Sequence, residues 1–169
     1  MAQEQAGTGT ATAVDRIQTA RGATAVWAGS LFEGSGNVSA ESGAFTELPL
    51  TWASRTLHAD GRTSPEELLA AAHAGCFSMA FSLVLAEAGT PPDQLSVTAT
   101  CAFEQTADGF AITTIDLDVR GRVAGLDARG FEQAADRAAE ICPVSNALKG
   151  NVEIRLTALL EPDDRHDAA

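Results

Sequence analysis

The 169-residue sequence holds 23 acidic against 11 basic residues, a formal net charge of -12, and is 45% hydrophobic. That length and apolar content suit one domain with a real core. The acidic balance excludes a nucleic-acid surface, which needs clustered Lys and Arg, and equally a platform for anionic lipid. Three cysteines are too few for a disulfide scaffold and fit working thiols in a cytoplasmic protein.

Residues 1–20 are polar and rich in Ala, Thr, Gln and Gly. They lack the basic start and apolar run of a secretory signal and read as a flexible lead-in. The domain is expected over residues 21–161. Thr24, Val26, Trp27 and Leu31 predict a strand over residues 23–31, ended by Glu33-Gly34-Ser35-Gly36. Residues 43–50 predict a second strand, and residues 51–63, which carry Arg55 and His58, a surface loop.

A long helix is well signalled. Ser64 is a natural N-cap, Pro65 suits the first helical position, and Glu67 completes a capping box. Gly89 and the Pro91-Pro92 pair end it. Residues 68–86 contain no Asp, Glu, Lys or Arg, so a membrane span has to be weighed. His73, Cys76, Ser78, Ser82 and acidic flanks at Glu66-Glu67 and Glu87 oppose it, since no positive charge anchors an end. A helix apolar on every side also suits a core or a subunit interface, and no membrane is expected.

Val97, Ala99, Cys101 and Phe103 alternate with polar residues as a half-buried strand. Ala107-Asp108-Gly109 turns the chain into a strand over residues 110–123, a hairpin. Residues 127–141 predict a helix with Phe131, Ala134, Ala135, Ala138 and Ile141 inward, broken at Cys142-Pro143. A turn over residues 144–149 leads to a last strand with Val152, Ile154, Leu156 and Leu160 on one face. Residues 162–169 form a charged tail, read as flexible. The order predicts an α+β domain with a mostly antiparallel sheet.

Cys76 inside a helix is by itself an ordinary core residue. Cys142 stands at a helix end before a proline, and the two thiols suit an attacking and a resolving cysteine. Spacing alone leaves both readings open. The run from Ser64 through Cys76 to Ala80, the second motif Cys142-Pro143-Val144-Ser145, and the earlier Ala25-Val26-Trp27-Ala28-Gly29 and Ser39-Ala40-Glu41-Ser42-Gly43 resemble the OsmC/Ohr family. These are osmotically induced and organic-hydroperoxide-resistance proteins, and the resemblance covers residues 22–160, closer to the OsmC branch.

The resemblance implies an intertwined homodimer with active sites at the subunit interface. It implies thiol-dependent reduction of organic hydroperoxides, with hydrogen peroxide a weaker substrate. Cys76 would attack and Cys142 resolve, without metal, haem or flavin. The expected reductant is a dithiol: a lipoyl protein, thioredoxin or a small thiol. By position the supporting glutamate maps to Glu66 and the arginine to Arg55, with Arg21 the poorer candidate that the Ohr branch would favour. A guanidinium favours a thiolate beside it, and its planar fork can hold a carboxylate at the same time. Glu66 and Cys76 are ten residues apart on one predicted helix, about 15 Å along its axis. Both can therefore serve one site only if Glu66 comes from a second subunit.

Two other readings stay open: a binding or stress-structural dimer whose cysteines are idle, and a peroxide sensor. His73 and Cys76, three residues apart, could be half of a zinc site, but no second pair accompanies them. Cys101 reads as core and His58 as surface. Phe77, Met79 and Phe81 suit either packing or an apolar substrate pocket.

Overall fold

The computed structural model describes residues 18–162, so the expected flexible ends fall almost wholly outside the described residues. Two three-stranded sheets form. The first joins β1 (Ala23–Ala28), β2 (Ser35–Ala40) and β3 (Leu48–Thr51) as an antiparallel meander. The predicted first strand stops early because Gly29, at φ 90°, turns the chain. β2 was hidden by its composition: Ser-Gly-Asn-Val-Ser-Ala reads as a strand terminator, and only Val38 in it is buried. Gly36 is needed there, since a Cβ would stand 2.4 Å from the Val26 carbonyl and 2.8 Å from the Trp27 ring. The strand expected over residues 43–50 shrinks to β3, after Gly43 and Glu47 take positive φ.

The expected surface loop is partly helical. In α1 (Trp52–Thr56), Thr51 and Ser54 cap each other reciprocally, at 2.9 and 3.0 Å. This short turn fixes the direction of Arg55. Then comes α2 (Pro65–Glu87), 23 residues long, with Ser64 accepting from the Glu67 amide at 3.1 Å. The capping box is only half made: the Glu67 carboxylate turns instead to the Thr63 hydroxyl at 2.7 Å.

β4 (Gln94–Thr106) and β5 (Gly109–Arg122) form the expected hairpin, with an irregularity between Cys101 and Phe103. α3 (Ala128–Ile141), capped by Asp127, is followed directly by α4 (Pro143–Leu148), where a turn was expected. Pro143 is what a helix start tolerates, since the first N–H of a helix has no partner inside it. The α3–α4 crossover returns β6 (Glu153–Leu160) parallel to β5, the one parallel pair in a mostly antiparallel α+β fold.

The core lies between α2, α3 and the second sheet. Phe77, Phe81, Leu85, Ile115, Val119, Phe131, Ala135 and Ala138 are fully enclosed. Phe81 packs between Phe77 and Phe131 with the rings tilted by 58°, their centroids 5.9 and 4.9 Å away. α2 is long and apolar enough to cross a membrane by length and composition, yet one face of it builds this core. Phe81→Ala is expected to cost about 3–5 kcal/mol, the usual range for a deleted core phenylalanine. Urea unfolding measures it, and a loss below about 1 kcal/mol would mean this core does not carry the fold.

Candidate functional site

Four side chains were expected to carry the chemistry, and within one chain they fall into two pairs. At the N-terminal end of α2, Glu66 is buried and held by Arg55 from α1. Arg55 Nη2 donates to Oε1 at 2.6 Å, and Nε reaches Oε1 and Oε2 at 3.0 and 3.2 Å. The guanidinium also lies over the Phe103 ring, 3.9 Å from its centroid. Trp52, which meets Phe32, Phe103 and Phe110 edge-on, closes the other side. Among the described residues, exposed Arg21 bonds only Thr19 and Ala20, and Arg55 is the arginine that reaches Glu66.

Beside Arg55 opens an apolar cavity of about 320 Å³ lined by Trp27, Leu31, Leu50, Thr51, Trp52 and Pro65. Phe77, Met79 and Phe81, which suited either packing or a pocket, do not line it. The two phenylalanines are core and Met79 is exposed. This lining has no sequence signature because it is assembled from β1 and the loop after it, β3, α1 and the first residue of α2. Cys101 is half-buried, and burial, with the Glu66 charge second, pushes its thiol up.

The second pair stands farther along α2. Cys76 and Cys142 are free thiols brought together by the packing of α2 against α4, close enough that each one's acidity depends on the other. Cys142 occupies the elbow between α3 and α4, as C-cap of one and N-cap of the other, and is fully enclosed. The Cys142 sulfur caps no backbone amide of α4, yet the Val144 amide beside both sulfurs and the Ser145 hydroxyl and amide beside Cys142 favour the ionised thiols. Burial, then the neighbouring Cys142 sulfur, pushes the Cys76 thiol up. Burial pushes Cys142 the same way, but the Ser145 hydroxyl and amide outweigh it, and its thiol is lowered. Within a single chain Cys142 is thus the more acidic.

Sequence reasoning weighed His73 only as a metal ligand. Among the described residues no cluster of three metal-binding side chains forms. His73 is instead fully buried, with Nε2 2.8 Å from the Ser145 hydroxyl. The only available signal was spacing: His73 lies one turn before Cys76, and Ser145 three residues after Cys142. His58 is exposed, as expected.

Two neighbouring thiols, one in the middle of a long apolar helix and one at the elbow packed against it, with a charged pair at the helix start, define a small α+β protein. The model of the family described as "OsmC-like protein" matches residues 58–157, and the chain belongs to that family. Over 128 residues it is 42% identical to the peroxiredoxin OsmC of Escherichia coli K12, covering 76% of this chain and 89% of that one. It is 34% identical over 96 residues to the organic hydroperoxide resistance protein of Xanthomonas axonopodis, with 56% and 66% covered. A crystal structure of an organic hydroperoxide resistance protein from Elizabethkingia anophelis superposes with a TM-score of 0.69 at 27% identity. That match covers 86% of this chain and 99% of the other.

Burial holds the His73 pKa below its ordinary value. As pH falls below about 6.5, the unfolded chain takes up that proton before the folded one does, so stability drops. Wild type is expected to lose more unfolding free energy between about pH 7 and about pH 5 than His73→Gln does. Urea titrations at several pH values measure this, and equal losses would exclude a strained neutral imidazole.

Proposed function

We propose that the protein is a thiol peroxidase that reduces organic hydroperoxides through Cys76 and Cys142. The nearness of the two free thiols, which couples the acidity of each to the other, carries this reading. A disulfide between them calls for Cα atoms within about 7 Å. The relatives' names, a peroxiredoxin and an organic hydroperoxide resistance protein, point to peroxide as the substrate. The apolar cavity beside Arg55 suits the alkyl or aryl part of such a molecule.

Cys76 thiolate attacks the O–O bond and keeps the proximal oxygen as a sulfenic acid, while the alkoxide leaves as an alcohol with a proton. Cys142 then attacks the Cys76 sulfur, closing a disulfide and releasing water. A dithiol reductant reopens the bond by exchange, attacking one sulfur and then the other. No step calls for a metal or organic cofactor, and we place the protein in the cytoplasm, where free thiols persist.

Cys76 is the less acidic thiol within one chain, so its activation needs a charge the chain itself does not bring there. Arg55 is committed to Glu66, ten residues up the same helix, about 15 Å along the axis. A second copy resolves this. Ala71, Ala72, Gly75, Met79 and Leu83 stand exposed along one face of α2, and Met79 and Leu83 keep 70% and 51% of their surface. Nothing lies within 4 Å of where a Gly75 Cβ would be. Two α2 helices crossing near Ala71 would cover these faces and bring the Arg55–Glu66 pair of each chain to Cys76 of the other.

Cys76→Ser is expected to abolish turnover of cumene hydroperoxide with a dithiol. Cys142→Ser should consume about one equivalent and stall as the sulfenic acid. Turnover by Cys76→Ser with loss in Cys142→Ser would reverse the assignment. Absence of peroxide loss in wild type would favour a binding dimer instead. After peroxide treatment, non-reducing peptide mapping should find the Cys76–Cys142 bond within one chain and Cys101 unmodified.

Mixed dimers test the shared site. One Cys76→Ser chain with one Glu66→Gln chain leaves one intact site and one doubly damaged site. Such heterodimers should regain about half of wild-type activity, more than either parent. No regain would place Glu66 and Cys76 of the same chain together.

A further inference from the structure

The peroxidase reading leaves His73 and Ser145 without a task, although both are buried against the thiol pair. His73 is fully enclosed and Ser145 keeps 6% of its surface, with Cys142 wholly enclosed between them and Cys76. A buried histidine is usually satisfied at both nitrogens. Here Nε2 meets the Ser145 hydroxyl at 2.8 Å, while among the described residues Nδ1 is buried without a partner.

That asymmetry selects a tautomer. Burial keeps the ring neutral, with one N–H to place. An orphaned buried N–H is rarer in proteins than an acceptor lacking a partner. The proton therefore sits on Nε2 and is donated to Ser145 Oγ. Having accepted that bond, the serine hydroxyl still has its own hydrogen to give, and Cys142 stands at the N-cap of α4 with Ser145 in the third helical position, from which a side chain reaches back to the cap. Hydrogen bonds in such a chain polarise one another, and enclosure strengthens each.

We propose that His73 and Ser145 form a one-way donor relay, His73 Nε2–H to Ser145 Oγ–H to Cys142 Sγ, that ionises Cys142 for its attack on oxidised Cys76. The proposal rests on the peroxidase reading and assigns its second step. While Cys76 is a thiolate, a second negative sulfur beside it is disfavoured and Cys142 keeps its proton. Once Cys76 becomes a neutral sulfenic acid, that repulsion is gone and the donors favour the Cys142 thiolate. Its electron pair forms the S–S bond, the S–O bond of Cys76 breaks, and the departing hydroxide takes up the proton that Cys142 shed, leaving as water. Ser145 touches the reacting sulfur, and His73 acts through it as a positioning residue.

The groups that set Cys142's acidity are few. From α2 come Cys76 and, through Ser145, His73, and from α4 come the Ser145 hydroxyl and the Val144 and Ser145 amides. The nearest charged residues along α3 and α4, Glu140 and Lys149, are exposed.

Thiolate absorbance in the ultraviolet reads the ionisation of a buried sulfur without needing reagent access. In the full chain carrying Cys76→Ser and Cys101→Ala, only Cys142 titrates as a thiol. Adding Ser145→Ala should move that titration to higher pH, with about tenfold or more less thiolate at any pH below both midpoints, as expected for a lost hydrogen bond to a charged group. Ser145→Thr, which keeps the hydroxyl, should restore it. His73→Leu should shift it in the same direction by less, and His73→Gln, which keeps an N–H, should stay near the parent.

In chains with all three cysteines, Ser145→Ala should let the Cys76 sulfenic acid accumulate, trapped by dimedone, because closure lags by a similar factor. Unchanged Cys142 titration in both Ser145→Ala and His73→Leu, with native near-ultraviolet dichroism, would overturn the relay. If wild type showed no reaction with peroxide, the peroxidase reading would fall. The titration would still decide whether the donors ionise Cys142.

Discussion

A helix has a fixed rise, and α2 imposes that constraint on everything polar in the molecule. Its first turn presents Glu66 and its middle presents Cys76, about 15 Å farther along. Neither can move towards the other without breaking the backbone ladder that supports Phe77 and Phe81 against α3 and the sheet. The polar groups therefore settle into two separate clusters, each completed by whichever neighbouring element reaches it: α1 at the start of the helix, the α3–α4 elbow at its middle.

The two clusters solve burial differently. Glu66 is a full charge in an enclosed place and is matched by a full charge, with the Phe103 ring lying over the guanidinium. Such a pair is costly to break by removing one partner, because the other is left buried and uncompensated. The thiol cluster holds no formal charge. Its acidity is set by which donors lie beside which sulfur, and the Ser145 hydroxyl and amide lead the groups that separate the lowered thiol from the raised one. Fixed charge at one end and adjustable protons at the other suit a reaction in which charge arrives, is neutralised and returns.

Much of this was legible in the sequence for local reasons. Ser64 and Pro65 mark the start of α2, and alternation in β4 and β5 shows their buried face. The parts that escaped notice are short or set by distant contacts. β2 is made mostly of small polar residues, and its pairing with β1 brings the Trp27 ring close over Gly36. α1 depends on a reciprocal cap of two hydroxyl residues rather than on apolar periodicity. The choice of Arg55 over Arg21 agrees with the Arg55–Glu66 pair, yet without the resemblance to a family Arg55 is one loop charge among several. The His73–Ser145 bond joins residues 72 positions apart, and no local pattern announces it.

Cys142 belongs to two helices at once, ending α3 and starting α4. A covalent tie from that elbow to the middle of α2 would close a ring of more than sixty residues that includes most of the core. By chain-entropy reasoning such a ring disfavours the unfolded ensemble by about 4 kcal/mol. The oxidised chain would then outlast the reduced one in heat or denaturant.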